Sequence, residues 1–287
     1  MNSIVRMSAT RFAVLTIASM CWLVVGTAPA AAEEGAAEPS EASAERQLTG
    51  EPAAVDVALG PLVMSRSLEM SLESRTTTHK PQLYVGGTLR IGAELYRVDA
   101  SGARLAVEAE GGYAAGRNNE EAAELDRAPV TEASFLHTRL NMRRPLGQTL
   151  ALDVGLGLAI DSFIVEPNLS YTGHRYIAGE LRAGLGWRAS AGGWSASADI
   201  SALPALSVDQ SGGAHGDGSA FGARLGAQVG FEVLSVPTDE GYRGGQVLVR
   251  YDYSRFRTQF PEARLGLNDG VSLDQAHALV LMFGYAL

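Results

Sequence analysis

Large hydrophobic and small or polar residues alternate along most of the chain, from about residue 62 to the last residue. Between positions 150 and 160, every second residue is a large aliphatic one, and the residues between them are small or acidic. The segments 220–234 and 273–287 repeat this arrangement. A period of two residues is typical of a β-strand with one apolar and one polar face. The alternation therefore predicts an all-β fold.

The pattern predicts ten strands and an unequal set of connections. The predicted strands are 62–74, 83–97, 104–114, 133–143, 149–163, 175–188, 194–205, 220–234, 245–257 and 273–287. The odd-numbered connections have 8, 18, 11, 14 and 15 residues, and the even-numbered ones have 6, 5, 5 and 10. Long extracellular loops and short periplasmic turns are typical of antiparallel, up-and-down transmembrane β-barrels. An even number of strands places both termini on the periplasmic side.

Strand 1 fits the alternation least well, because Arg66 falls on its apolar face. This position predicts a bulge or a later start of the strand.

A soluble barrel with the same strands turned inside out would show the same alternation, because it also has one apolar face. Three features favour the membrane. The predicted strands average about 13 residues, against roughly 5–6 in soluble sheets and about 9–11 for a bilayer crossing. Long and short connections alternate, and the polar face is mostly Gly, Ala, Ser and charged residues, which suits a narrow lumen. A helical core, or bulky apolar side chains pointing inward, would contradict the membrane assignment.

Aromatic residues gather at the short-turn end of the predicted strands. Transmembrane barrels have girdles of aromatic residues at the membrane–water interface. The sequence therefore predicts one girdle here, formed by Trp187, Trp194, Phe231, Phe283 and Tyr285.

The N-terminal segment has the pattern of a secretory signal peptide. An apolar run from Phe12 to Gly26 follows two arginines, and Ala30 and Ala32 fit a cleavage site. A retained anchor and a lipoprotein are the alternatives, but the run is shorter than the roughly 20 residues of a spanning helix. We predict a cleaved signal peptide over 1–32, a disordered periplasmic linker over 33–61 and an outer membrane barrel domain over 62–287.

The composition narrows the possible functions. With 46% hydrophobic and 19% charged residues the chain is not of the disordered class. Its net charge of −9 argues against binding of nucleic acid. The one cysteine, Cys21, belongs to the predicted signal peptide, so no disulfide or thiolate metal site is expected in the mature chain. We predict no cofactor and no metal site.

The last strand ends in Phe283-Gly284-Tyr285-Ala286-Leu287. Together with the signal peptide and the barrel pattern over 62–287, this ending resembles the Gram-negative outer membrane β-barrel superfamily. The resemblance is one of architecture and includes no specific motif. It implies a monomer in the cell outer membrane, contact with membrane lipid and lipopolysaccharide, and recognition by the barrel-assembly machinery. Such proteins commonly end in an aromatic residue, whereas this chain ends in Leu287.

The predicted inner face contains both acids and arginines. Unpaired charge is costly in a confined interior, so we expect arginines and carboxylates to pair there. A barrel of about eight strands is filled by its side chains, and ten strands lie near that limit. We therefore predict an occluded lumen. Its predicted charge network consists of Arg90, Glu94, Glu108, Glu110, Arg139, Arg143, Asp153, Glu180, Arg182, Arg224, Glu232, Arg250 and Asp252.

These features favour a structural or surface-interaction barrel whose extracellular loops determine any specificity. A small passive pore is the alternative. A loop-site hydrolase is a second alternative, using histidines predicted in extracellular loops: His79, His174 and His215. His137 and His277 are predicted to face the lumen. The chain contains no G-x-S-x-G or H-E-x-x-H motif, and we expect no enzymatic activity.

Overall fold

A computed structural model describes residues 55–72, 75–98, 103–117, 128–166, 173–189, 193–211, 218–238, 241–260 and 270–286. In this part of the chain, ten strands form a closed antiparallel barrel in which β1 pairs with β10. The strands are β1 (Val55–Leu72), β2 (Arg75–Val98), β3 (Ala103–Arg117), β4 (Val130–Pro145), β5 (Leu150–Val165), β6 (Gly173–Arg188), β7 (Trp194–Ser211), β8 (Ser219–Thr238), β9 (Gly241–Phe260) and β10 (Gly270–Ala286). The predicted ten-stranded β-barrel is confirmed.

The predicted signal peptide and most of the predicted linker lie outside the described residues. The first strand begins at Val55 rather than at residue 62. Among the residues with described structure, no helix is both long and apolar enough to cross a membrane.

Large hydrophobic side chains cover the outer wall. Strands β5, β8 and β10 expose the faces that the alternation predicted, and Leu156, Leu225 and Leu279 are 60%, 50% and 52% exposed. On β5 the outward side chains are apolar from Leu150 to Ile160, a length of roughly 33 Å along the strand. At a tilt of about 40°, this length gives an apolar band of roughly 25 Å, the height found in outer membrane barrels.

The inner wall is less polar than predicted. Leu62 and Met64 of β1, and Val280 and Met282 of β10, are buried inside the barrel beside Leu248 of β9. The β1–β10 seam is therefore apolar on both faces. Inward apolar side chains alone would fit a soluble barrel, but such a barrel needs a polar outer wall. The exposed aliphatic band of this barrel does not meet that requirement.

The reading of strand 1 needs correction. Arg66 lies on the inner face, and the β1–β2 register shifts between Arg66 and Leu68. The extra residue at this shift lies in β2, between His79 and Gln82, and β1 keeps one register with β10 through Arg66, so the predicted bulge in strand 1 is wrong. The alternative of a later start is also wrong, since the strand begins earlier, at Val55. Both faces of β1 contain large apolar residues, so its alternation could not show which face points inward.

At the end of the barrel opposite Val55 and Ala286, most strands are longer than predicted. We name the end of the barrel with Val55 and Ala286 the terminal end, and the opposite end the far end. At the far end, β2 begins at Arg75 and β6 at Gly173, so His79 and His174 lie in strands and not in loops. At the terminal end, Gly193 has a φ of 67° in the turn before β7, a conformation that favours glycine.

Candidate functional site

Charged side chains from consecutive strands, β3 to β9, meet in the middle of the barrel. Each lies at an inward position of its strand, because side chains alternate between the two faces of a sheet. We name this group the central cluster. It consists of Glu108, Glu110, His137, Arg139, Asp161, Glu180, Ser201, Arg224, Arg250 and Asp252.

Arg139 of β4 joins three acids of the central cluster. Its Nη1 lies 2.5 Å from Glu108 Oε1 and 3.7 Å from Glu110 Oε2, and its Nε donates to Glu180 Oε2 at 3.0 Å. The side chain of Arg139 is 1% exposed. A planar guanidinium can satisfy several carboxylates at once without losing its charge. Arg139 therefore holds β3, β4 and β6 together from inside.

Glu180 of β6 has a fully buried side chain. Its carboxylate accepts hydrogen bonds from Arg139, from Arg224 of β8 and from the hydroxyl of Ser201, which lies 2.8 Å away. A buried carboxylate is tolerated when it is paired and fully hydrogen-bonded. Glu180 meets this condition through three strands other than its own.

Several of these contacts cross the lumen. Arg250 of β9 donates from Nη1 to Glu110 Oε2 of β3 at 2.7 Å, and its Nε lies 2.8 Å from Asp252 Oδ2. Arg90 of β2 donates to Gln228 Oε1 of β8 at 3.1 Å. Strands β3 and β9 are not neighbours in the barrel, nor are β2 and β8. The contacts therefore span the interior of the barrel.

His137 lies between arginines and an acid. Its Nδ1 is 2.6 Å from Arg224 Nη1 and 3.2 Å from Arg139 Nη2, and its Nε2 is 3.5 Å from Asp161 Oδ1. Arginine can only donate, so a ring nitrogen of His137 must accept from it. Arg224 Nη1 also lies 3.1 Å from Nε2, so the imidazole is held between this guanidinium and the Asp161 carboxylate. The central cluster borders a cavity of about 40 Å³, whose lining includes His137 and the apolar Val280. This volume holds roughly two or three water molecules.

Towards the terminal end, further ion pairs line the inner wall. Arg182 and Asp199 are 3.0 Å apart, and the wider Arg143–Asp153 pair is 3.9 Å apart. Arg188 pairs with Glu232 at the rim, where their side chains are 59% and 34% exposed. Pairs this exposed contribute little to stability, since water screens them.

Towards the far end, an aromatic layer fills the lumen. The rings of Tyr176 and Phe256 are stacked 4.2 Å apart at 3°. The Tyr176 hydroxyl is 3.1 Å from His174 Nδ1, and the His174 ring packs against Phe260. All four side chains are at most 2% exposed. These four side chains form a second group of inward contacts, nearer the far end than the central cluster.

One buried ion pair beside this layer was missed by the sequence analysis, and its Asp274 lies opposite Phe256 in the β9–β10 register. Arg66 of β1 forms two hydrogen bonds with Asp274 of β10, and the distance from Arg66 Nε to Asp274 Oδ1 is 2.7 Å. The same guanidinium lies 4.9 Å from the centre of the Phe163 ring. The unexpected arginine on an apolar face was the available signal. Asp274 gave no signal of its own, since it follows the ordinary alternation of its strand.

The predicted charge network divides into separate groups. The structure gives every one of its residues an ion-pair or hydrogen-bond partner, but only seven belong to the central cluster. The other six form pairs nearer the terminal end, and Arg90 and Glu94 pair with Asp56 and Arg104, two residues that the prediction lacked. The seven in the cluster are Glu108, Glu110, Arg139, Glu180, Arg224, Arg250 and Asp252.

The predicted girdle residues all point outward at the terminal end. Trp187, Trp194, Phe231, Phe283 and Tyr285 are between 37% and 56% exposed, and the rings of Trp194 and Phe231 are 4.8 Å apart.

Two further histidine predictions have different outcomes. His137 faces the lumen as expected, whereas His277 faces outward, where its Nδ1 lies 2.7 Å from the hydroxyl of Tyr251. His215 lies outside the described residues. Among the residues that the structure covers, no group of three or more His, Cys, Asp or Glu side chains is arranged to hold a metal ion.

The closed ten-stranded barrel, with its apolar outer wall and ion-paired interior, has the architecture of outer membrane β-barrel proteins. No protein-family model matches the chain, and no curated protein matches it. A similar solved structure is the outer membrane protease OmpT from Escherichia coli, at 11% identity over 83% of this chain and 98% of that chain, with a TM-score of 0.46.

Two others are similar in the same way. They are Ail, the attachment invasion locus protein of Yersinia pestis (12% identity, 83% of this chain, 100% of that chain, TM-score 0.32), and the translocator domain of the autotransporter NalP from Neisseria meningitidis (11% identity, 85% and 92%, TM-score 0.36). The likeness lies in the barrel architecture.

Proposed function

We propose that this protein is a monomeric, non-catalytic barrel of the outer membrane with a closed lumen and a structural or surface-interaction role. The observation that carries the proposal is the set of hydrogen-bonded charges that cross the lumen, above all Arg250–Glu110. A pore needs a continuous water path, and here the charged groups that could line one are bonded to each other. The aromatic layer around Phe256 adds a second barrier.

The connections support an orientation with both termini in the periplasm. At the terminal end, the chain passes from Pro145 to Leu150 and from Arg188 to Trp194 between strands. At the far end, it passes from Arg117 to Val130 and from Phe260 to Gly270. The longer connections of outer membrane barrels face the exterior. We place specificity for surface partners in these far-end loops, and lipopolysaccharide around them.

Two histidines of the described part of the chain, His174 and His137, favour a role without catalysis. His174 is 1% exposed beneath the far end and bonded to Tyr176. His137 is held by two arginines and faces Asp161 inside the barrel. Neither histidine is placed where a substrate at the cell surface would reach it.

Single-channel recording tests the proposal. We expect the refolded full-length protein to insert into planar phosphatidylcholine bilayers without stable current steps. Replacing Glu110, Arg250 and Phe256 together by Ala removes side chains from both closed levels, and we expect conductance steps from this variant. The variant Arg188→Ala/Glu232→Ala, which changes only the rim, should remain silent.

Two results would contradict the proposal. Stable unitary steps from the wild-type barrel would favour a passive pore. A folded triple variant that stays silent would show that these side chains do not close the lumen.

A further inference from the structure

On the outer wall of β9 and β10, polar side chains follow directly on the apolar band. The hydroxyl of Tyr251 lies 2.7 Å from His277 Nδ1, and the ring of Tyr253 lies 5.0 Å from the ring of His277. Side chains with an apolar ring and a polar tip collect at membrane–water interfaces. This group therefore marks the far-end edge of the lipid-facing surface on these two strands.

Two arginines follow on the same outward face of β9. Arg255 and Arg257 are both exposed, and side chains two positions apart on one strand are roughly 7 Å apart. Within the described part of the barrel, neither has an ion-pair partner. The outward carboxylate in the row of Arg257 is Glu69, which is two strands away across Leu273, a distance of roughly 10 Å. The pair is a local concentration of positive charge.

Apolar surface continues beside these arginines. Phe221 of β8 lies opposite Arg257 in the register and is 58% exposed. Leu279 of β10 lies opposite Tyr251 and is 52% exposed. An arginine at such a border can lay its aliphatic stem along apolar surface while its guanidinium stays at headgroup level. The wall thus combines a cationic group with room for hydrocarbon chains next to it.

We propose that Arg255 and Arg257, with Tyr253 and His277, form a binding site on the outer wall for the phosphate of an anionic lipid. Guanidinium groups match phosphate oxygens with two parallel hydrogen bonds, and hydroxyl and imidazole groups supply further donors. The inference rests on the proposed function, which puts the far end at the outer leaflet. The occupant there is the phosphorylated lipid A part of lipopolysaccharide, with its acyl chains along Phe221 and the aliphatic wall.

Lipid A binding to the refolded full-length barrel in neutral detergent micelles tests this site. We expect Arg255→Ala/Arg257→Ala to weaken binding of lipid A at least tenfold. The control is Arg144→Ala, since Arg144 is also an exposed, outward arginine of the wall but lies at the terminal end. We expect this control to stay within twofold of the wild type. Lipid A without its phosphates should bind the wild type as weakly as intact lipid A binds the double variant.

Three outcomes would overturn the inference. They are equal binding by the wild type and the double variant, an equal loss in the Arg144→Ala control, and displacement of lipid A by an equal concentration of inorganic phosphate. The bilayer recordings distinguish failure of this inference from failure of the proposed function. The double variant should remain silent like the wild type, because both arginines lie outside the lumen, whereas stable wild-type conductance would contradict the closed lumen without changing lipid A binding.

Discussion

Replacing Glu180 by Gln should destabilise the barrel far more than its near-isosteric size suggests. Glu180 is fully buried and accepts hydrogen bonds from Arg139, Arg224 and Ser201. The amide keeps one acceptor oxygen but presents an NH₂ group where the carboxylate faced a guanidinium. Both arginines keep their charge, because arginine does not deprotonate in proteins.

The expected cost follows from these contacts. Each hydrogen bond to a charged group contributes about 1.5–3 kcal/mol, and removing one partner from a buried ion pair costs roughly 3–5 kcal/mol. Arg139 retains Glu108 at 2.5 Å, which compensates it in part. We therefore expect Glu180→Gln to lower the free energy of unfolding by about 3–5 kcal/mol.

Reversible urea unfolding of the barrel in phospholipid vesicles measures this difference. The matched control is Glu232→Gln, because Glu232 also pairs with an arginine but is 34% exposed, and its loss should cost no more than about 1 kcal/mol. The double variant Glu180→Gln/Arg224→Met should recover part of the stability, since it removes one unpaired charge. A change below about 1 kcal/mol for Glu180→Gln would refute the assignment of Glu180 as a buried, essential acceptor.

Two further substitutions test the wall and the far-end layer. Leu156 lies in the middle of the lipid-facing surface of β5, and Leu156→Arg should lower the free energy of unfolding in vesicles by about 2–4 kcal/mol. At an exposed position of a soluble barrel the change would be no more than about 0.5 kcal/mol. A change of this smaller size in the urea assay would count against a membrane barrel. Phe256→Ala removes half of the ring stack with Tyr176 and should cost about 3–5 kcal/mol, and an unchanged urea midpoint would show that the layer is loosely packed.

The strand pattern was predictable where only one face of a strand is apolar. On β5 and β8, lipid-facing residues such as Leu156 alternate with inward Gly, Ala and polar or charged residues, and the period of two determines the face. On β1, Val63 faces outward and Leu62 inward, and both are large and apolar. The alternation then does not show which face of β1 points into the barrel. The arginine at position 66 was therefore recognised as unusual, but its inward direction could not be predicted.

The charged groups were predictable as members of the lumen but not as pairs. Their inward direction follows from strand parity alone. Which arginine meets which acid depends on strand tilt and on the stagger between strands, which set the height of each residue in the barrel. Arg250 reaches Glu110 although their strands are not neighbours. The far-end extensions were missed for a related reason: beyond the lipid a strand needs no apolar face, so His174 resembled a loop residue.

The contacts across the lumen also constrain how the barrel can form. Arg250 and Glu110 are 140 residues apart in the chain, and Arg90 and Gln228 are 138 apart. Neither contact can exist in a sequential string of hairpins, since each needs the ends of the sheet to have come together. An incomplete barrel would have open sheet edges whose backbone groups are not hydrogen-bonded. Its acids and arginines would also lack their ion-pair partners while exposed to lipid. Insertion and closure of the barrel should therefore be one cooperative step. Before that step, the unfolded chain should remain in water or bound to a chaperone until β10 pairs with β1.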